Sequence, residues 1–161
     1  MMDGGQSGED EDMVTDRRPT VRARGQCHCG AVRFTVTGPL RDVLICHCAD
    51  CLRHHGHASA HTRCGEGDIA FENDHGLKWH DTSATGSRGF CGDCGSLLFF
   101  RRKGLGGLAI NAGVLDAPTG LRTALHLFAG SKPDYYEIGD DGVPRHATMP
   151  PAQDMTKFRF S

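Results

Sequence analysis

Sulfur dominates the chemistry open to this sequence. Eight cysteines, at positions 27, 29, 46, 48, 51, 64, 91 and 94, share a chain of 161 residues with ten histidines. Two tight pairs are each followed by glycine and then by an apolar run. One is Cys27-His28-Cys29-Gly30 before Ala31-Val32-Arg33-Phe34; the other is Cys91-Gly92-Asp93-Cys94-Gly95 before Ser96-Leu97-Leu98-Phe99. Two thiolates in such a knuckle grip one side of a metal ion. The glycine lets the backbone turn through positive φ, so that amide N–H groups face the sulfurs. Together the knuckles supply the four thiolates of a closed, structural zinc site. The competing reading is two knuckles on separate ions, as in an interaction module.

Cys46-His47-Cys48-Ala49-Asp50-Cys51 is a different arrangement. Three thiolates within six residues hold one ion but leave tetrahedral zinc a ligand short, and an open position separates catalytic from structural zinc. A thiol coordinated there is held as thiolate. The competing reading closes the fourth position with Cys64, His54, His55, His57 or His61, because residues 52–61 are crowded with imidazole. Other sulfur chemistry fits less well. Leu52, not histidine, follows Cys51, against haem attachment; the paired spacing of a Rieske cluster is missing; no βαβ pattern surrounds Cys48/Cys51 or Cys91/Cys94. Cys64 stands outside both groups and reads as an ordinary buried thiol.

The elements that must position these sulfurs are short. Leu, Ile, Val and Phe number 31, about 19% of the chain, which is thin for a hydrophobic core, although a net charge of only -2 argues against outright disorder. With 22 Gly and 7 Pro, a helical bundle and a coiled coil are disfavoured, and no apolar run reaches the roughly 18 residues of a membrane span. Residues 31–37 place Val32, Phe34 and Val36 on one face at period two. Further strands are expected over residues 40–46, 77–80, 96–102, 108–112 and 125–129. Gly104-Leu105-Gly106-Gly107 connects two of them, and one or two helical turns are expected over residues 49–55. The class is therefore mainly β, in one domain with at most short helices. Structural zinc, contributing on the order of 10 kcal/mol of apparent folding free energy, offsets the thin core.

Residues 1–19 form an acidic leader with six carboxylates against two arginines. Residues 20–146 form the zinc-binding β domain, and residues 147–161 an extension in which Phe158 and Phe160 alternate as in a short last strand. The start of the chain lacks the pattern of a secretory signal, so the expected setting is cytoplasmic and reducing, where thiols bind metal rather than pair. The domain carries about +2 before thiolates are counted. Seven thiolates and two Zn²⁺ bring it near -1, far from the basic footprint of a nucleic-acid binder.

Cys27-x-Cys29-Gly30-x-Val32, Cys46-His47-Cys48-x-x-Cys51, Arg88-Gly89-Phe90-Cys91-x-x-Cys94-Gly95-Ser96 and Ala112-Gly113-Val114-Leu115-Asp116 occur in an order that resembles the glutathione-dependent formaldehyde-activating enzyme and centromere protein V family, from about residue 25 to 144. The resemblance implies a β-tent of packed antiparallel sheets. It implies a structural zinc on Cys27, Cys29, Cys91 and Cys94, and a catalytic zinc on Cys46, Cys48 and Cys51. The implied reaction joins glutathione to formaldehyde as S-hydroxymethylglutathione. The centromere branch implies the alternative of a non-catalytic zinc module that binds protein. Two features depart from the family pattern: Tyr135-Tyr136 stand where an aromatic pair often includes Trp, and the histidine-rich stretch follows Cys51.

A carbon–sulfur lyase-type enzyme acting on a small thiol and an aldehyde, or on their adduct, needs more than its two zinc ions. The hemithioacetal oxygen needs a proton, for which His47, Asp50 and His54 are candidates. The carboxylates of a glutathione-like thiol need cations, for which Arg53 and Arg88 are candidates by proximity to ligand cysteines.

Overall fold

The computed structural model describes residues 20–155, 157 and 158; the acidic leader and Phe160 lie outside the described residues. The chain runs β1 (Ala23–Gln26), β2 (Arg33–Val36), β3 (Val43–Cys46), α1 (Ala49–His55), β4 (Ser59–Cys64), β5 (Ile69–Asn73), β6 (Leu77–Ser83), β7 (Gly86–Cys91), β8 (Leu97–Arg102), β9 (Leu108–Asn111), β10 (Thr123–Leu127) and α2 (Ala152–Met155). Single 3₁₀ turns precede β5 and follow β9 and β10. Two sheets form: a three-stranded one in the order β1-β2-β5, and a seven-stranded one in the order β10-β3-β4-β9-β8-β7-β6. The fold is mainly β with two short helices. All pairs are antiparallel except β10 with β3, which is parallel, so the larger sheet is mixed where antiparallel sheets were expected.

The apolar face predicted for β2 is buried, although Thr35 on its other face is buried as well. Val32, Phe34 and Val36 are buried and Arg33 is exposed. Phe34 meets Phe99 of β8 edge-to-face at 5.0 Å, which docks the small sheet on the large one. The first core cluster gathers Val32, Phe34, Val36, Leu98, Phe99 and Ile110 together with Cys27 and Cys91. A second, smaller cluster of Leu44, Cys46, Cys51, Leu125 and Leu127 lies at the β10 end of the large sheet. Each core therefore includes part of one cysteine group.

Residues 104–107 turn β8 into β9, with Gly104 and Gly107 at positive φ. A short helix, α2, starts just after Pro150-Pro151, with Asp154 N–H donating to Pro151 O; the last short strand expected around Phe158 and Phe160 falls mostly outside the described residues. Proline at a helix start is pre-organised for it. Phe158 sits in a bend and, with Met155, packs on the second cluster. No helix among the described residues is long and apolar enough to cross a membrane.

Phe34 is 1% exposed whereas its neighbour Phe71 is 38% exposed. Phe34→Ala should cost about 3–5 kcal/mol in urea unfolding of the metal-loaded protein, and Phe71→Ala only about 1 kcal/mol.

Candidate metal centre and active-site cleft

The two glycine-backed knuckles fold alike. In the first, Cys27 N–H donates to Val32 O and Gly30 N–H to Cys27 O; in the second, Cys91 N–H donates to Ser96 O and Gly95 N–H to Cys91 O. Gly30 and Gly95 both take positive φ, 79° and 77°, the region that favours glycine. Val32 N–H points at Cys27 Sγ at 3.2 Å, and His28 N–H donates to Ser96 Oγ, tying one knuckle to the other. The four sulfurs of Cys27, Cys29, Cys91 and Cys94 all lie within 4.8 Å of one another, with Cys27–Cys29 at 3.6 Å and Cys29–Cys91 at 3.8 Å. A Zn–S bond of about 2.3 Å puts tetrahedral sulfurs about 3.8 Å apart, so the donor set fits a zinc-sized ion without rearrangement. Hydrogen bonds from the Ser96 hydroxyl and N–H hold Cys94 down to about 5, which favours the thiolate that a metal takes up.

The second group is built by β3, α1 and β4. Cys46 ends β3, paired on one side with Leu127 of β10 and on the other with Ser59 of β4. Cys48 is the N-cap of α1, its sulfur accepting the Cys51 N–H at 3.5 Å; Cys51 lies in the first helical turn. The chain leaves α1 through Gly56 at φ 72° and returns as β4. The three sulfurs lie within 4.8 Å of one another. The bond between Cys46 and Cys51 holds Cys51 down to about 5 and pushes Cys46 up: sulfurs this close share a proton unless a cation sits between them. Each cysteine group can thus hold a metal such as zinc.

No histidine joins the triad among the described residues. Cys64 lies in the first core, its thiol facing Leu108 O, and belongs to neither group. Beside the triad opens a cavity of about 250 Å³, lined by Cys46, Cys48 and Cys51 at one end and by apolar Phe100, Leu127 and Phe128. Its polar walls include Asp50, His55, His61, Arg88 and Arg102. Burial, with Arg41 close by, pushes His61 down to about 3, so it is neutral near pH 7.

The sequence-derived candidates separate in space. Arg88, in the middle of β7, is 8% exposed. Its Nη1 donates toward His55 Nε2 at 3.5 Å, its guanidinium lies over the Phe100 ring at 5.1 Å, and its Nε has no partner. Among the described residues no carboxylate pairs with it. Arg53 is exposed on α1 away from this cavity, and His54 lines a neighbouring shallow groove. Asp50 lines the cavity itself. His47 does not. Its ring is fully buried and its Nε2 lies 2.9 Å from Nδ1 of His126 on β10, whose Nε2 donates to Asp141 Oδ2 at 2.9 Å. The expectation of a substrate-facing His47 therefore differs from its place in the fold. Tyr136 stacks on His47 at 6.1 Å, and His57 meets Tyr136 edge-on at 4.4 Å. Burial, then the neighbouring His126 and His57, push His47 below the ordinary histidine value.

Sequence reading considered His55 only as a closing ligand, yet it is the contact of Arg88. The available signal was helical spacing, since His55 follows Cys51 by four residues and shares its face. His126 and Asp141 carried no signal, being single residues far from every cysteine.

The sequence pattern of the family described as glutathione-dependent formaldehyde-activating enzyme matches residues 22–131. A solved structure, a Rhodobacter sphaeroides protein from a structural-genomics programme, matches with a TM-score of 0.51 at 19% identity, over 76% of this chain and 99% of that one; at that identity the likeness shows the fold alone. A comparison with curated proteins finds no match.

Asp141 is held down to about 2 in the folded chain, first by the bond from His126, against an ordinary 3.8. A depressed carboxylate contributes stability that is present above its unfolded value and lost as pH falls through the folded one. Asp141→Asn removes that contribution. The stability gap between wild type and variant, read from urea unfolding at a series of pH values, should therefore shrink from about pH 4 to about pH 2.

Proposed function

The chain belongs to the glutathione-dependent formaldehyde-activating enzyme family, and on that premise we propose that it is a zinc-dependent carbon–sulfur lyase-type enzyme joining a glutathione-like thiol to formaldehyde or another small aldehyde. Residues 20–146 are its zinc-binding domain, with structural zinc on Cys27, Cys29, Cys91 and Cys94 and catalytic zinc on Cys46, Cys48 and Cys51. Its free thiols fit a reducing, cytoplasmic setting. The observation that carries this reading is the cavity on the triad. The tetrad has as many sulfurs as a tetrahedral ion can take, whereas the triad is one short and opens on space large enough for a small ligand.

Zinc on the triad would supply one open coordination position that keeps a thiol sulfur deprotonated. The remaining work falls to the chain. The apolar wall of Phe100, Leu127 and Phe128 excludes water and holds the aldehyde beside the sulfur, so that proximity supplies much of the rate. The thiol sulfur adds to the carbonyl carbon, forming one C–S bond as the C=O π bond opens onto oxygen. The proton lost by the thiol ends on that oxygen, giving the hydroxymethyl thioether; the reverse reaction breaks the same bond. Asp50, on the cavity wall, is the proton carrier this arrangement favours over buried His47 and outward His54. Arg88, a buried cation beside the Cys51 sulfur with an unpartnered Nε and no carboxylate among the described residues, anchors an anionic end of the thiol. Arg53 is too far out on α1 to share that task in this arrangement.

Cys48→Ser is the sharpest test. Serine is a preferred N-cap, so α1 keeps its cap while the triad loses a thiolate. Zinc content by elemental analysis should fall from two per chain towards one, and adduct formation from glutathione and [¹³C]formaldehyde, followed by NMR, should fall to the uncatalysed rate with the fold retained. An undiminished rate would overturn the mechanism. Arg88→Met should leave zinc content unchanged and raise KM for an anionic thiol about 10-fold or more, with little change for a neutral thiol such as 2-mercaptoethanol.

A further inference from the structure

Behind the triad, on the side away from the cavity, lies a row of polar groups that the reaction does not use. His47 and His126 are 0% and 2% exposed, next to the Leu125 and Leu127 part of the second core. Burying two imidazoles there is costly unless their hydrogen bonds are made; His47 Nε2 and both ring nitrogens of His126 are paired along one line, and His47 Nδ1 has no partner. The Asp141 carboxylate can only accept, so the proton of His126 sits on Nε2. With its proton on Nε2, His126 can accept at Nδ1 from the His47 Nε2–H. The row therefore fixes the orientation of the His47 ring.

His47 is the single residue between Cys46 and Cys48. Its main-chain N–H donates to Leu127 O at 2.9 Å while its ring is bonded to His126, the residue before Leu127. Both halves of the residue are thus tied to β10. His126 is pinned in turn: its N–H donates to Pro144 O, and its carbonyl accepts from His146 N–H. Asp141 Oδ1 accepts from Val143 N–H at 3.0 Å. Tyr136 stacks on the His47 ring.

We propose that His126, anchored by Asp141, is a positioning residue that acts through His47 to hold the Cys46–Cys48 turn in the geometry a metal requires. The proposal rests on the reading of the triad as a metal site. Outer partners of metal sites typically change affinity by about 10–100-fold when removed, because ligands must be held in place before the ion arrives.

The test uses the full chain loaded with zinc, and separately with cobalt. His126→Phe and Asp141→Ala remove the anchor, and Asp141→Asn is the conservative control, since its amide oxygen still accepts the His126 N–H. Zinc competition with a chromogenic chelator should show the triad's affinity falling about 10-fold or more in His126→Phe and Asp141→Ala, with the tetrad's affinity unchanged. The d–d absorption of the cobalt-loaded triad should shift in the same two variants, while Asp141→Asn stays close to wild type. Asp141 is at the surface, so its variants keep the test decisive should His126→Phe fail to fold. A wild type that binds two ions, with Asp141→Ala matching it in both affinities and in cobalt spectrum, overturns the positioning role alone. A wild type that binds one ion overturns the triad reading and this one with it.

Discussion

Seven sulfurs within reach of one another in two groups are the constraint on which this fold depends. Thiols crowded to 3.6–3.8 Å are too close to ionise together, and too far apart to be bonded, unless a cation stands between them. Around the tetrad a bound cation would do what a small core cannot. It would join a knuckle before β2 to a knuckle before β8, sixty-odd residues away, and so tie the three-stranded sheet to the seven-stranded one beside the Phe34–Phe99 contact. The core and the tetrad are one structure, since Cys27 and Cys91 are themselves members of the first apolar cluster.

The triad is held by different means. Two of its sulfurs belong to a turn that follows a central strand, and the third to the helix that the turn starts. Nothing in the turn is rigid by itself. It is fixed from one side by the pairing of Cys46 with Ser59 and from the other by β10. The parallel pairing of β10 with β3 brings His126 under His47, which an antiparallel return through a short loop would not do. The site's chemistry faces the cavity and its support faces the core, with the same three-residue turn serving both.

Much of this was legible before any coordinates. Cysteine spacing separated a four-sulfur from a three-sulfur group because ligand number is a local, countable property. The period-two run Val32-Phe34-Val36 marked β2, and residues 49–55 marked α1. Strands whose inward face is polar were silent. β4 buries Ser59, Thr62 and Cys64, and β7 buries Ser87 and Arg88, so neither shows an apolar alternation. The β10 strand was visible, but the role of its one imidazole was not. A contact between His47 and His126 spans 79 positions and is created by strand pairing rather than by spacing. The same holds for Arg88, whose contact with His55 spans 33 positions and is created by the fold rather than by spacing.

The order of ligands along the chain has a consequence for biogenesis. Residues 27 and 29 leave the ribosome first, then 46, 48 and 51, and only much later 91 and 94. For that interval a nascent chain carries six thiols, Cys64 among them, able to capture metal in combinations other than the two groups of the fold. A four-sulfur site can close only once the second knuckle has been made, so a metal captured earlier would have to exchange ligands to reach it.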